Sequence, residues 1–279
     1  MSAARPPLTW LYAPGDRPEV VAKALRAGAD VVIVDLEDAV APGRKEYARE
    51  ATAELLSQPR AVPVHVRVNA LSTPEGPADL KALLPCAGLA GVRLPKVTSP
   101  EEVARVAGRA AALGRAVPRL HPLLESALGV EEAFRIARAD PAVGGLALGE
   151  ADLRADLGVR EDAGLDWCRS RVVVAARAAG LDPPAQSVHP DVRDLEGLAA
   201  GCARGRALGF LGRAAIHPRQ LPVIERAYLP TAREVEEAEE VLDAARRSGP
   251  GAQALPDGRF VDAAVLTSAH RTLALAAPR

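Results

Sequence analysis

Four apolar, β-branched residues in succession, Val31-Val32-Ile33-Val34, run straight into the acidic cluster Asp35-Leu36-Glu37-Asp38. A run with no polar residue alternating through it suits a strand covered on both faces, as in a parallel sheet clothed by helices. The carboxylates then stand at the strand's C-terminal tip, where parallel α/β proteins bind their ligands. The same order recurs along the chain. His65-Val66-Arg67-Val68-Asn69 ends one strand with a cation, Leu123-Leu124-Glu125-Ser126 ends another with a carboxylate, and Leu146-Ala147-Leu148-Gly149 leads into Glu150-Ala151-Asp152. Acids and one arginine gathered at four strand ends suit a metal-assisted active site.

Strand and helix patterns alternate throughout. Strands are expected over residues 8–13, 31–34, 64–68, 91–96, 120–124, 145–148, 185–189 and 214–216. Helical patterns follow them, over about 18–28, 43–57, 78–84, 99–113, 130–139, 169–179 and 195–208, with residues 152–166 read as irregular. The first helix opens at a turn containing Asp16 as cap and Pro18 in the first turn. Ser99-Pro100-Glu101-Glu102 combines a serine cap, an early proline and acids at the positive end of the helix dipole. About eight strand–helix repeats predict a closed (β/α)8 TIM barrel, and 279 residues suffice where such a barrel takes roughly 250. An open doubly wound sheet is the alternative, but no Gly-x-Gly-x-x-Gly follows the first strand, which weakens a dinucleotide-binding reading.

The barrel is assigned to residues 1–228, and residues 229–279 to a C-terminal helical extension or lid that is not an independent domain. In it, a Glu- and Arg-rich helix over 231–247 is broken by Gly249-Pro250-Gly251-Ala252-Gln253, read as a mobile hinge. Gly258-Arg259-Phe260-Val261-Asp262 then introduces a last helix over 263–275. The extension is expected to be too small for a core of its own and to pack on its own barrel or a neighbour's.

Composition excludes several functions. A net charge of −1 makes no electrostatic case for nucleic acid or an anionic membrane, and with only 3% aromatic residues there is no set spaced to stack bases. No run approaches the ~20 apolar residues of a spanning helix, and residues 1–7 have no apolar signal core. Cys86, Cys168 and Cys202 are odd in number and lack a CxxC pairing, so reduced thiols in a cytoplasmic protein are expected.

Glu125 and Asp152 are the candidate metal ligands. Mg2+ commonly takes one or two carboxylates and leaves its other positions to water and substrate, so an α-keto or α-hydroxy acid would complete the shell. Taken singly, either acid could be a helix cap or a surface ion-pair partner. No His/Cys cluster has zinc spacing. Arg67, at the tip of a valine-built strand, suits a substrate carboxylate or a developing enolate oxygen. It could equally pair with Asp35, Glu37 or Asp38, of which Asp35, first in the cluster, is the one expected to serve structure. His65 shares the inward phase of Arg67. His121-Pro122, His189-Pro190 and His217-Pro218 read as turn-shaping pairs at strand ends. Arg17 and Arg44 lie near strand-end loops, where they would either meet the phosphates of a ligand or be solvated.

With these residues in view, the chain resembles the citrate lyase beta-subunit-like proteins of the HpcH/HpaI aldolase family. The resemblance is carried by Ala13-Pro14-Gly15-Asp16-Arg17-Pro18-Glu19, DLEDAVAP at 35–42, Arg67-Val68-Asn69, LLESA at 123–127, GEADLRAD at 149–156, residues 208–212 and IHPRQ at 216–220. The ordered set spans nearly the whole chain. It implies a barrel with a Mg2+ site and cleavage of a citryl, malyl or citramalyl thioester, carried by coenzyme A or an acyl carrier protein, to a keto acid and an acyl thioester. Glu125 and Asp152 match the family's metal ligands, with Glu125 also facing substrate, and Arg67 matches its substrate-binding arginine. Asp262 matches the acid/base aspartate of the C-terminal segment, although Ala264 stands where relatives usually have proline and Phe260 where methionine is common. Asp262 is also placed to cap the last helix. A homo-oligomer, trimer or hexamer, is implied as well. The rival readings are a metal aldolase acting on free hydroxy-keto acids, malate synthase- or thioesterase-like chemistry at the same site, and a non-catalytic scaffold of a lyase complex.

Overall fold

The computed structural model describes residues 5–114, 116–248, 253–254 and 260–277. The chain divides into two compact units, Pro7–Ala227 and a smaller one built mainly from Tyr228 onward.

The larger unit is a parallel barrel. Seven strands, β1 (Thr9–Pro14), β2 (Val31–Asp35), β3 (Val64–Arg67), β4 (Leu89–Leu94), β5 (Arg119–Leu124), β6 (Ala147–Leu148) and β7 (Arg213–Ala215), lie in the order β6-β5-β4-β3-β2-β1-β7. Ala185 bridges Ala147 and Gln186 bridges Arg213, both in parallel, so residues 185–186 stand where an eighth strand would and close the ring. The neighbours Pro183, Pro184 and Pro190 explain why this eighth stave shrinks to two bridges, since proline offers no N–H to a ladder. Every residue of β2 is buried, as its unalternating apolar run requires. Its inward phase (Val31, Ile33, Asp35) shares the interior with Trp10, and Trp10, Val31, Ile33 and Ala214 form an inner apolar cluster.

Helix ends follow local chemistry with some departures. Pro100–Ala111 begins as expected: the Glu102 carboxylate accepts the Ser99 N–H at 3.1 Å, and Pro100 opens the first turn. By contrast, Asp16 does not cap the first helix. That helix is Pro18–Ala24, with Arg17 at the cap position and no side-chain cap bond. Residues 130–139 form two short helices, Ala127–Glu131 and Ala133–Ala137. The stretch expected to be irregular opens as a regular helix, Glu150–Leu157, ended by Gly158 at φ = 65°. Its acids in the first turn suit a helix N-terminus better than a loop.

In the smaller unit, Ala232–Ser248 and Ala263–Ala276 pack together, and Ala238, Val241, Leu242, Val261 and Ala269 form a buried cluster. This segment therefore assembles a small core of its own, which its length did not suggest. Gln253–Ala254 pairs antiparallel with Phe260–Val261. Residues 249–252 of the expected hinge, and Gly258 and Arg259, lie outside the described residues.

Candidate active site

Ladder register sets the site. Asp35 on β2 stands beside Arg67 on β3, Arg67 beside Arg93 on β4, and Arg93 beside His121 on β5. Alternation turns these residues to the barrel interior, in the layer just inside the C-terminal mouth.

Arg67 is held by acids. Its Nε and Nη2 donate to the two oxygens of Asp35 at 2.7 and 2.6 Å, and its Nη1 lies 3.1 Å from both Glu37 Oε2 and Asp38 Oδ2. Asp35 also accepts the N–H groups of Glu37 and Ala39, at 2.9 and 3.1 Å, so it braces the acidic turn as well as the arginine. Burial works against the charge on Arg67, but Asp35's hydrogen bond and charge hold its pKa above the ordinary value. The ion pair expected as the structural alternative is thus present with all three acids, and Arg67 still lines the cavity at the barrel mouth.

Glu125, at the tip of β5, is 6% exposed, and its Oε1 accepts the backbone N–H of Lys96 at 2.9 Å. Burial raises its carboxyl pKa, Lys96 opposes the shift and the charge of Asp152 adds to it. Gly149 makes room for the group: a Cβ there would sit 2.4 Å from Glu125 Cγ and 2.6 Å from Oε2. Glu125 therefore lies against the start of the Glu150–Leu157 helix, in whose first turn Asp152 stands half-exposed. Lys96 joins the two candidate ligands, since its ammonium pairs with Asp152 and also lies 3.9 Å from Glu37. Lys96 has φ = 55°, the only positive φ at a non-glycine among the described residues. That conformation costs a side-chain-bearing residue roughly 1–2 kcal/mol and is found where function over-determines the backbone. Glu150 takes no part, being bound by Arg169 at 2.6 and 3.0 Å.

Glu37 carries the clearest electrostatic anomaly. Burial pushes its pKa up to about 8, Arg67 pulls it down, and Asp38 and Glu125 push it up again. Its Oε2 is buried without a hydrogen bond, because the 3.1 Å approach of Arg67 is a charge contact without hydrogen-bond alignment. Glu37 thus adds a third acid, its charge disfavoured by burial, beside Arg67 and Lys96. No group of three or more His, Cys, Asp or Glu donors is placed to hold a metal among the described residues. Two carboxylates with open remaining positions is the donor set that Mg2+ uses and structural zinc does not.

All of these groups except Glu37, Lys96 and His121 border one cavity of about 1060 Å³, which extends past Asp152 to Ser187, Val188, His189 and Arg204. That exceeds the space a three- or four-carbon acid needs.

The remaining sequence candidates fall elsewhere. His65 does point inward, but into the core: its ring lies 5.4 Å from Trp10 and 4.7 Å from His121, and burial lowers its pKa to about 3. His121 is not at a strand end. It lies within β5, buried and held neutral. His217 does shape a turn, its Nδ1 accepting the Arg219 N–H at 3.1 Å. Arg44 pairs with Asp16 at 3.7 Å and stacks on Tyr47. The three cysteines are free. Asp262 caps Ala263–Ala276, its Oδ1 accepting from Ala264 and Val265 at 2.9 and 3.0 Å. Sequence reasoning saw Arg93 and Lys96 only as cations ending a strand, gave them no role in the site, and passed over Tyr12. Two cations closing one strand, in Arg93-Leu94-Pro95-Lys96, were the available signal, and it was the signal already used for Arg67.

A parallel α/β barrel with carboxylates and cations at its C-terminal mouth defines the class: a barrel enzyme with a charged site at the tips of its strands. The chain belongs to the HpcH/HpaI aldolase/citrate lyase family, whose profile matches residues 8–218. It is 40% identical over 277 residues to a citrate lyase subunit beta-like protein of Mycobacterium tuberculosis, covering 95% of this chain and 93% of that protein. It is 33% identical over 301 residues to an L-malyl-CoA/beta-methylmalyl-CoA lyase of Cereibacter sphaeroides, covering 96% and 93%. Among solved structures, it is similar to the protein CitE from Mycobacterium tuberculosis in complex with magnesium, acetoacetate and coenzyme A, with a TM-score of 0.83, 38% identity and 99% of each chain covered.

Proposed function

We propose that this protein is a Mg2+-dependent carbon–carbon lyase that cleaves a β-hydroxyacyl thioester of coenzyme A or an acyl carrier into a keto acid and a shorter acyl thioester. The observation that carries this reading is the pair of carboxylates Glu125 and Asp152, linked through Lys96 and bordering one cavity with Arg67 at the mouth of the barrel. Glu125 and Asp152 would hold the cation. Mg2+ bound there would supply Lewis acidity and a template for the keto-acid half.

The chain's own groups do the rest. Lys96 orients Glu125 through its N–H, and its ammonium would have to leave Asp152 for that carboxylate to hold a cation. Arg67, pre-aligned by Asp35, meets the negative charge that grows on the acyl oxygen as the bond breaks. Cleavage in net terms moves the hydroxyl proton to the carbon of the enolate it leaves, and Asp262 is assigned to take that proton and return it. That assignment rests on the family resemblance. The spare length of the cavity accommodates a thioester arm. The protein acts in the cytoplasm, in keeping with its three free thiols, and assembles as a trimer or hexamer.

The test is to supply the purified enzyme and Mg2+ with citryl-CoA, malyl-CoA, citramalyl-CoA and free 4-hydroxy-2-oxo acids, and to measure keto acid and thioester products. Keto acid released from a thioester is expected. Cleavage of the free acids alone refutes the reading, and release of free coenzyme A with an intact hydroxy acid assigns the site to thioester hydrolysis.

A further inference from the structure

Arg93 is a buried cation that lacks an acid. Its side chain projects from β4 between Arg67 and His121 in the ladder, and the residue is only 5% exposed. Its guanidinium carbon lies 4.6 Å from the Trp10 ring centre, and its Nε has no hydrogen-bond partner. It forms no ion pair with any carboxylate among the described residues. The other buried arginines of the barrel are provided for: Arg67 by Asp35, Arg169 by Glu150 and Asp162, and Arg213 by the Ser187 carbonyl at 2.9 Å. Burial and the nearby charge of Arg67 both disfavour a charge on Arg93, and only the Tyr12 phenol supports it. A desolvated guanidinium without a counter-ion is costly, and a protein keeps one where the counter-ion arrives with a ligand. Arg93 borders the cavity together with Tyr12, Glu125 and Asp152, so a ligand entering that cavity reaches it.

We propose that Arg93, backed by Trp10 and Tyr12, forms a second anion subsite in the cavity. It takes a carboxylate of the keto-acid half other than the one beside Glu125 and Asp152. This rests on the lyase reading and narrows it: the keto acid made or consumed is dicarboxylic, of the oxaloacetate kind, rather than pyruvate or glyoxylate. Arg67, already engaged by three acids, is the poorer receptor for that second carboxylate.

The test is binding by calorimetry and by Trp10 fluorescence, in a Trp167→Phe background that leaves Trp10 as the sole tryptophan. Oxaloacetate and pyruvate are titrated with Mg2+ present, and malonate without it. Oxaloacetate is expected to bind at least ~30-fold tighter than pyruvate, consistent with a charge-assisted bidentate contact. Arg93→Met should erase that preference, abolish malonate binding and leave pyruvate binding alone, while Arg93→Lys should restore part of the preference. A melting curve for Arg93→Met checks the fold, which a buried cation-to-apolar exchange commonly preserves. Equal binding of oxaloacetate and pyruvate by the wild type, or an unchanged preference in Arg93→Met, overturns the proposal. If neither keto acid binds with Mg2+ but malonate binds through Arg93, the lyase reading falls and the anion subsite stands.

Discussion

Glu37 sits in a protein interior that resists its charge, and this has a consequence for stability. With a folded pKa near 8 against an ordinary 4.5, the native state binds more protons than the unfolded chain across that interval. Stability must then fall as pH rises from about 4.5 to 8. His65 acts in the opposite sense, because its pKa near 3 makes stability rise between about 3 and 6.5. The two overlap below 6.5, so the clean window is 6.5 to 8. Urea unfolding of the metal-free protein across that window should show a declining midpoint that Glu37→Gln flattens. A second residue-scale prediction separates the two roles of Asp262. Asparagine caps a helix about as well as aspartate but cannot transfer a proton. Asp262→Asn should keep the melting temperature and lose roughly 10²–10⁴-fold in kcat if the acid/base assignment is right. Asp262→Ala should also lose stability, by about 0.5–2 kcal/mol. Unchanged turnover in Asp262→Asn would reduce the residue to its cap.

At the scale of elements, the site depends on how the tip of β5 meets the helix after β6. Gly149 is a glycine there for space rather than for backbone freedom, its φ of −93° being open to any residue. Gly149→Ala would drive a methyl into the Glu125 carboxylate. The expected outcome is a loss of about 1–3 kcal/mol in urea unfolding and much weaker Mg2+ binding by calorimetry, although neither Glu125 nor Asp152 has changed. Sequence periodicity located β1 to β5 within one or two residues, because each is a short apolar run bounded by turn chemistry. It missed the Glu150–Leu157 helix because a short helix with one buried residue, Leu153, presents almost no apolar period. It also overstated the eighth strand, where prolines on both sides leave only Ala185 and Gln186 to pair.

For the molecule as a whole, cation binding and folding should be linked. Glu125→Ala and Asp152→Ala should each abolish both turnover and the rise in melting temperature that Mg2+ brings to the wild type. Glu125→Ala should at the same time leave the metal-free barrel no less stable near neutral pH, since it removes a carboxylate whose charge burial disfavours. Thermal melts with and without Mg2+ check both statements.

The barrel, its alternating order of elements and the acids at its strand tips were legible from residues alone, because parallel strands buried on both faces leave an apolar signature and deliver the next few residues to the mouth. Glu125, Asp152 and Arg67 could be placed at that mouth for the same reason. What only the tertiary structure decided is which charges meet. Arg67 is taken by Asp35, Glu150 by Arg169 and Asp152 by Lys96, pairs separated by 32, 19 and 56 residues, while Arg93 meets no acid among the described residues. Coulomb interactions fall off with distance in space and not along the chain, so no local pattern could carry that information.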